Sequence, residues 1–166
     1  MDFTRVLRHL FTGPLAVRRA FPATALTAIE YAIAQSEFNH RGEIRFAVEA
    51  ALDMLPLVRA ISARERAVEV FSQLRVWDTE HNNGVLIYLL LADHNVEIVA
   101  DRGIDAKVGH EKWEAICHEM ETHFSQGQFE SGVVSGIRSV GGHLQEHFPA
   151  GREDGKNELP DRPVIM

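Results

Sequence analysis

The sequence predicts an α/β fold, a three-layer α/β/α sandwich in which helices flank a small mixed sheet. Three observations support this prediction. The segment EIRFAVEAAL at 43–52 alternates apolar and polar residues, which is the period-2 pattern of a half-exposed strand. The segment VLIYLLLA at 85–92 is apolar throughout, as in a strand covered on both faces. Segments with helical periodicity precede, separate and follow these two strands.

Residues 1–21 form a basic amphipathic segment. Apolar residues recur at helical spacing up to Phe11, arginines occupy the other faces, and Gly13 and Pro14 end the helix. Such a segment either packs on its own domain or a partner, or lies weakly on an anionic membrane surface through residues 3–19. Both alternatives stay open at this point.

The main domain is expected over residues 22–148. Its first helix covers about 23–38 and precedes the alternating strand. A capping box from Ser62 to Glu65 begins the next helix, which ends near Trp77. Strands joined across one helix are parallel and the crossover is right-handed, so we expect the first two strands to form a parallel βαβ unit.

A β-hairpin follows the second strand. The tripeptide Asp-His-Asn at 93–95 favours a tight turn, because Asp and Asn hydrogen-bond their own backbone. Residues 96–100 then form a returning strand. Antiparallel pairing places Asp101 next to the start of the preceding strand, close to Asn82 and Asn83.

Two helices and a tail complete the chain. Periodicity predicts helices at about 109–125 and 128–147. Glycines within the second should weaken it, and their spacing suggests close contact with another element. The tail at 149–166 is rich in Pro, Gly and charged residues and has little apolar content, so it is expected to be disordered.

Composition argues against several classes of function. The net charge of −7 argues against nucleic-acid binding, which depends on Lys and Arg. The single cysteine, Cys117, excludes an intramolecular disulfide and a cysteine-rich zinc site. No segment approaches the ~20 apolar residues that span a bilayer, and Gly13 and Pro14 interrupt any signal-peptide core. We therefore expect a cytoplasmic protein, either free or at the periphery of the membrane.

A polar loop that ends at Gly84 is the best candidate for a functional site. The loop presents four oxygen-bearing side chains, those of Asp78, Glu80, Asn82 and Asn83. Oxygen ligands suit Ca²⁺ and Mg²⁺. The loop is not an EF-hand, because its glycine is at the seventh position rather than the sixth and Leu89 stands at the twelfth. A different cation site, completed by Asp101 across the hairpin, and a simple polar connection remain the two interpretations.

No other motif predicts a site. His118 and His123 are five residues apart, whereas the zinc-protease motif needs two histidines at i and i+4 of a helix. Cys117 has no motif around it and is expected to be a buried apolar residue. No glycine-rich phosphate-binding loop follows a strand, so no organic cofactor is expected.

The central part of the chain resembles the TPM domain. The resemblance rests on ARERAVEVFSQLRVWDTEHNNGVLIYLLLADHNVEIVADRGI at 63–104, with further matches in GEIRFAVE at 42–49 and FESGVVSGI at 129–137. It covers about residues 23–148. The family takes its name from a thylakoid lumen phosphatase, a photosystem II repair protein and a worm receptor modulator, and this chain resembles a soluble bacterial member.

The resemblance implies an α/β/α sandwich, which agrees with the prediction from the residue patterns. It also implies a divalent-cation site, usually calcium, at the loop end of the sheet. The matched positions are Asp78, Asn82, Asn83 and Asp101. Glu80 joins them on chemical grounds alone. Some family members are acid phosphatases, whereas others act as interaction modules in membrane-protein maintenance or receptor regulation.

Two hypotheses about function follow. The first is a Ca²⁺- or Mg²⁺-binding interaction module with an unidentified protein partner. The alternative is a metal-dependent acid phosphatase acting on phosphomonoesters, in which the ion would polarise a phosphoryl oxygen and lower the pKa of a water. Arg75 or Arg102 could then neutralise the phosphate, since guanidinium matches phosphate geometry.

Overall fold

The computed structural model describes residues 3–53, 60–151 and 157–166. Its helices and strands are α1 (Phe3–Phe11), α2 (Pro14–Ala20), α3 (Ala23–Glu37), β1 (Glu43–Glu49), α4 (Ala63–Gln73), β2 (Gly84–Leu90), β3 (Asn95–Ala100), α5 (Arg102–Val108), α6 (His110–Ser125), α7 (Phe129–His147) and β4 (Val164–Ile165). A single 3-10 turn at Leu91–Asp93 links β2 to β3 within this part of the chain.

The four strands form one mixed sheet in the order β3-β2-β1-β4. β1 and β2 are parallel, and their register begins with Glu43 opposite Gly84. β2 and β3 form an antiparallel hairpin, with Val85 opposite Ala100. The structure thus confirms the predicted α/β fold, the parallel βαβ pair and the hairpin.

Helices cover both faces of the sheet. On one face, alternate residues of the central strands, among them Phe46 and Ile87, form the larger core with side chains of α3, α6 and α7. On the other face, Tyr88 belongs to a smaller core with Ala67 and Val70 of α4. β1 and β2 are therefore buried on both faces, and burial of their apolar side chains is the main source of stability.

The alternating pattern of β1 predicted a half-exposed strand, and this prediction was wrong because every residue of β1 is buried. Its polar side chains have partners that replace water, except that Arg45 Nε is buried without one in the described structure. Glu49 accepts hydrogen bonds from Tyr88 and Arg66, and Arg45 donates to the carbonyl of Arg162 at 3.3 Å. A polar group can be buried at low cost when it is hydrogen-bonded, so alternation alone does not reveal exposure. The strand also ends sooner than expected.

The final segment of the tail is ordered, and the predicted disorder of 149–166 was wrong there. Val164–Ile165 form β4, parallel to β1. The N–H of Met166 donates to the carbonyl of Val48 at 2.9 Å. The outer edge of β1 presents backbone groups that need partners, and this short strand supplies them. The part of the prediction that concerns 152–156 lies outside the described residues.

Two short helices were not predicted. α2 begins at Pro14, which suits the first helical position because proline has no N–H to leave unpaired. α5 begins after Asp101, whose side chain accepts a hydrogen bond from the N–H of Arg102. Gly103 lies inside this helix. As a result, the end of β3 leads directly into a helix N-terminus.

Candidate cation site at the rim of the sheet

One end of the sheet brings three chain segments together. The N–H of Asp101 donates to the carbonyl of Gly84 at 2.9 Å, which closes the hairpin. The N–H of Ile104 donates to the carbonyl of Asn82 at 3.2 Å. Glu43, at the start of β1, is the register partner of Gly84. We call this end, formed by residues 41–43, 82–84 and 100–104, the rim.

Asn83 is the most deeply buried polar residue of the rim, with a side chain that is 0% exposed. Its backbone N–H donates to Thr79 Oγ1 at 3.1 Å, and its side-chain Nδ2 donates to the carbonyl of Arg41 at 3.0 Å. These bonds fix the orientation of the amide. Its Oδ1 is buried and has no hydrogen-bond partner in the described structure.

Asp101 lies on the neighbouring strand end and is 7% exposed. Its Oδ1 accepts a hydrogen bond from the N–H of Arg102 at 2.7 Å, which caps α5. Its Oδ2 is buried, and no donor reaches it from any part of the chain that the structure describes. Buried polar atoms without partners are costly and uncommon, so ordered water or a ligand is expected to satisfy the free oxygens of Asn83 and Asp101.

The other three predicted ligands lie on the loop that leads into β2. The side chains of Asp78, Glu80 and Asn82 are exposed. The backbone of Asn82 has a left-handed conformation with φ of 51°, which asparagine tolerates better than most residues. The N–H of Glu80 donates to Glu158 Oε2 at 3.0 Å, so the ordered tail contacts this loop.

The hairpin therefore gathers Asn82, Asn83 and Asp101 at the rim, whereas Asp78 and Glu80 remain on the exposed loop. Across residues 3–53, 60–151 and 157–166, no group of three or more His, Cys, Asp or Glu side chains is arranged to hold a metal ion. A cation at the rim would thus need amide, carbonyl or water oxygens in addition to the Asp101 carboxylate.

The two arginines predicted to bind phosphate lie at different places. Arg102 is exposed at the first position of α5, next to Asp101. Arg75 is exposed just after α4, with a left-handed backbone φ of 53°. The two guanidinium groups belong to different elements, and no hydrogen bond or ion pair of the described residues places them beside a common partner.

Comparison with known proteins agrees with this architecture. A family model described as the TPM domain matches residues 19–143. The chain belongs to the TPM domain family. The NMR structure of the BA42 protein from the psychrophilic bacterium Bizionia argentinensis is similar to this TPM domain, with a TM-score of 0.77 and 33% sequence identity. The similarity covers 88% of this chain and 95% of that one.

A search of curated proteins found no match to this TPM domain. The resemblance predicted from the sequence is confirmed by the family match and by the similar fold. The domain boundaries expected at residues 21 and 148 stay a prediction. In the portion of the chain that the structure describes, no helix has the length and apolar character to cross a membrane.

This TPM domain also has carboxylates beside the rim that the sequence did not single out. The carboxylate of Glu43 accepts a hydrogen bond from the N–H of Glu158 at 3.0 Å. Glu37, at the end of α3, accepts one from the N–H of Ile44 at 2.9 Å and is hydrogen-bonded to Asp161. The tail thus brings the carboxylates of Glu158 and Asp161 to the same end of the sheet.

Burial changes the protonation of Glu37 and Glu43. Burial raises the pKa of Glu37 to about 9, opposed by the hydrogen bond from Ile44 and aided by the negative charges of Glu43 and Asp161. Burial also raises the pKa of Glu43 to about 6, although two backbone hydrogen bonds act in the opposite direction. Glu37 is therefore protonated at neutral pH and can share its proton with Asp161. Both glutamates line a cavity of about 390 Å³ beside Gly42.

One feature of the sequence indicates that the tail, which lies beside Glu37 and Glu43, packs on the fold. The chain ends in three apolar residues, Val164, Ile165 and Met166, which is unusual for a disordered tail. That signal indicates a segment that packs on the fold. The position of Glu43 at the start of a strand then suggests a partner for it, but only the docked tail identifies that partner.

Proposed function

We propose that this TPM domain binds a divalent cation at the rim, with Ca²⁺ preferred over Mg²⁺, and serves as a cation-dependent interaction module. One observation carries the proposal. Asn83 Oδ1 and Asp101 Oδ2 are buried acceptors without partners, on adjacent strand ends joined by the bond between Asp101 and Gly84. Oxygen atoms of this kind are the ligands that hard divalent cations take in proteins.

The two buried oxygens are fixed before any ion arrives. Asn83 is held through its other amide atom, and Asp101 through its other carboxylate oxygen. Ca²⁺ takes six to eight oxygens in flexible geometry, and the exposed side chains of Asp78, Glu80 and Asn82 can complete its shell with water. Mg²⁺ requires near-ideal octahedral geometry, which a loop of this kind supports less well.

Affinity should be modest. A single buried carboxylate supplies little of the negative charge that tight sites use, so we expect a Kd of roughly 10⁻⁵ to 10⁻³ M. Binding would draw the loop at 78–82 toward the rim and order its exposed side chains. The ordered loop is then the surface offered to a protein partner, and cation binding sets how well it is presented.

Binding accounts for the rim better than hydrolysis does. A phosphatase would need cationic groups beside the ion to neutralise the phosphate. Arg102 is next to Asp101 in the chain, but its guanidinium is exposed, and Arg75 lies after a different helix. No geometric observation therefore favours the phosphatase alternative over binding.

Calorimetric titration with Ca²⁺ tests the proposal. Asp101→Asn is the decisive variant, because asparagine caps a helix as well as aspartate but lacks the negative charge. We expect wild-type protein to bind and Asp101→Asn to bind at least tenfold more weakly. The matched control is Asp53→Asn, an exposed aspartate in the segment after β1, which should bind like wild type.

Absence of binding at millimolar Ca²⁺ and Mg²⁺, or equal affinity in Asp101→Asn, would refute the proposed site. The same three proteins should be assayed with a generic phosphomonoester. Hydrolysis that requires the metal and disappears in Asp101→Asn would favour the phosphatase alternative instead.

A further inference from the structure

The opposite end of the sheet holds the N-terminal helices. His9 of α1 is buried, and its Nδ1 accepts a hydrogen bond from the N–H of Leu52 at 2.9 Å. Its Nε2 lies 3.2 Å from Asp93 Oδ1 in the hairpin turn. Arg5 Nε donates to Asp93 Oδ2 at 2.9 Å. These contacts dock α1 with one defined face on the fold.

The outward face of this region is apolar. α2 inserts Val17 into the core, and this insertion leaves Leu15 exposed. Leu10 and Phe11, at the end of α1, are exposed as well, and Phe11 is 85% exposed. We call Leu10, Phe11 and Leu15 the apolar corner. It surrounds the short turn between α1 and α2 and is held by the docked helices, so exposure is a property of the folded state.

The segment that contains the apolar corner is positively charged. Residues 3–20 contain four arginines and no acidic residue, whereas residues 22–166 contain 13 Lys or Arg and 23 Asp or Glu. Arg8, Arg18 and Arg19 are exposed. Arg8 also reaches Asp93, with 3.4 Å between Arg8 Nη2 and Asp93 Oδ1.

A cavity of about 570 Å³ lies among these basic groups. Its lining includes Arg8, Arg19 and His94, together with Asp93, whose carboxylate is already engaged by α1. Two arginines from two different helices thus converge on one concave surface next to the apolar corner. A phosphate group carried by an apolar body matches this combination of features.

We infer that this end of the protein docks on the surface of an anionic lipid bilayer. Phe11 and its neighbours enter the boundary between headgroups and acyl chains, while Arg8, Arg18 and Arg19 contact lipid phosphates. The acidic remainder of the chain is repelled by the same surface, which orients the protein with its rim away from the membrane.

A second protein molecule is a poorer match for the corner. A stable protein interface buries roughly 800 Å² on each partner, which three partly exposed side chains cannot supply. Partitioning into a bilayer interface needs no complementary surface. Two or three apolar side chains together with several cations give reversible binding of the kind seen for peripheral proteins.

Cosedimentation with vesicles tests this inference. One vesicle preparation contains phosphatidylcholine alone and the other contains phosphatidylcholine with phosphatidylglycerol. We expect wild-type protein to bind the anionic vesicles at low salt and to be released as salt rises. Phe11→Ser should weaken binding about tenfold, and Arg18→Gln combined with Arg19→Gln should weaken it roughly fivefold for each arginine.

The matched control is Phe38→Ser. Phe38 is 74% exposed at the end of α3, so the same substitution removes a similar side chain from another surface. Its vesicle binding should equal that of wild type. Thermal melts of each variant by circular dichroism confirm that loss of binding is not loss of fold.

Three results would overturn the inference. The first is a wild-type protein that stays in the supernatant with anionic vesicles at low salt. The second is an equal loss of binding in Phe38→Ser. The third is a wild-type dimer, seen by light scattering, that Phe11→Ser converts to a monomer, because the corner would then be a contact between two copies of this chain.

Discussion

The two ends of the sheet differ in the charged side chains that surround their acidic groups. At the rim, Asn83 and Asp101 each keep one buried oxygen without a partner. At the hairpin turn, Asp93 Oδ1 is likewise buried without a hydrogen-bond partner, but Arg5, Arg8 and His9 all approach the Asp93 carboxylate within 3.4 Å. The protein's own cationic side chains surround the carboxylate at the turn, whereas no ion pair among the described residues reaches the Asp101 carboxylate at the rim.

This difference separates a structural polar cluster from a candidate binding site. The partly buried charge of Asp93 at the turn is paired by side chains of α1, so its role is to hold α1 in place. Buried oxygens at the rim are preorganised and lack donors, so a ligand or ordered water must supply what the chain does not. From the sequence alone, the rim and the hairpin turn are both polar loops beside strands and cannot be told apart.

The largest expected effect concerns backbone packing at the rim. In Gly84→Ala the added methyl group would collide with the carbonyl oxygen of Val76, which cannot move without displacing the chain. We expect a loss of about 3 kcal/mol or more in the free energy of unfolding, measured by urea denaturation. Gly13→Ala, before α2 at the other end, meets no atom and should cost less than about 1 kcal/mol. Similar costs for both would show that the rim is not tightly packed.

A smaller effect is expected at the turn. His9→Ala leaves the buried N–H of Leu52 without its acceptor and removes a contact of Asp93. The cost should be about 2 kcal/mol in the free energy of unfolding, again from urea denaturation. His110→Ala, an exposed histidine on α6, is the control and should be neutral. If His9→Ala is neutral too, α1 is not docked as the structure shows.

The smallest effect is a change in pH dependence beside the rim. Because the pKa of Glu37 is raised, its favourable contribution to the free energy of unfolding is complete below about pH 4.5. That contribution is lost as pH rises through about 9. Glu37→Gln stays neutral and keeps both hydrogen bonds. The melting temperature of Glu37→Gln, relative to that of the wild type, should therefore increase as pH rises from 5 to 9.

The control for this pH series is Glu30→Gln, an exposed glutamate on the same helix. Glu43, whose pKa is raised to about 6, Asp161 and Arg45 surround position 37 in all three proteins. A constant difference between Glu37→Gln and wild type across the range would mean that Glu37 ionises normally.

Local patterns predicted the sheet well because they depend on neighbours in sequence. The continuous apolar run of β2 and the turn at 93–95 were enough to predict that the chain brings Asp101 to Asn83. Contacts made by distant segments were not predictable in this way. The pairing of β4 with β1 spans more than a hundred residues, and the short helix α5 depends on a cap that only the folded hairpin orients.

The candidate site shows the same division. The sequence identified the oxygen-bearing residues of the loop and paired them with Asp101. It could not indicate that Asn83 would be buried while Asp78 and Glu80 stay exposed, since burial of each side chain depends on what packs against it. The carboxylates at Glu37 and Asp161 were missed because the tail was expected to be disordered.

The proposal of a cation at the rim is tested most directly by ¹⁵N NMR of the labelled protein during titration with Ca²⁺. We expect the largest amide shifts at Asn83, Gly84 and residues 101–104, with little change in the turn at 91–95. No shifts at millimolar Ca²⁺, or shifts centred on the turn, would contradict it.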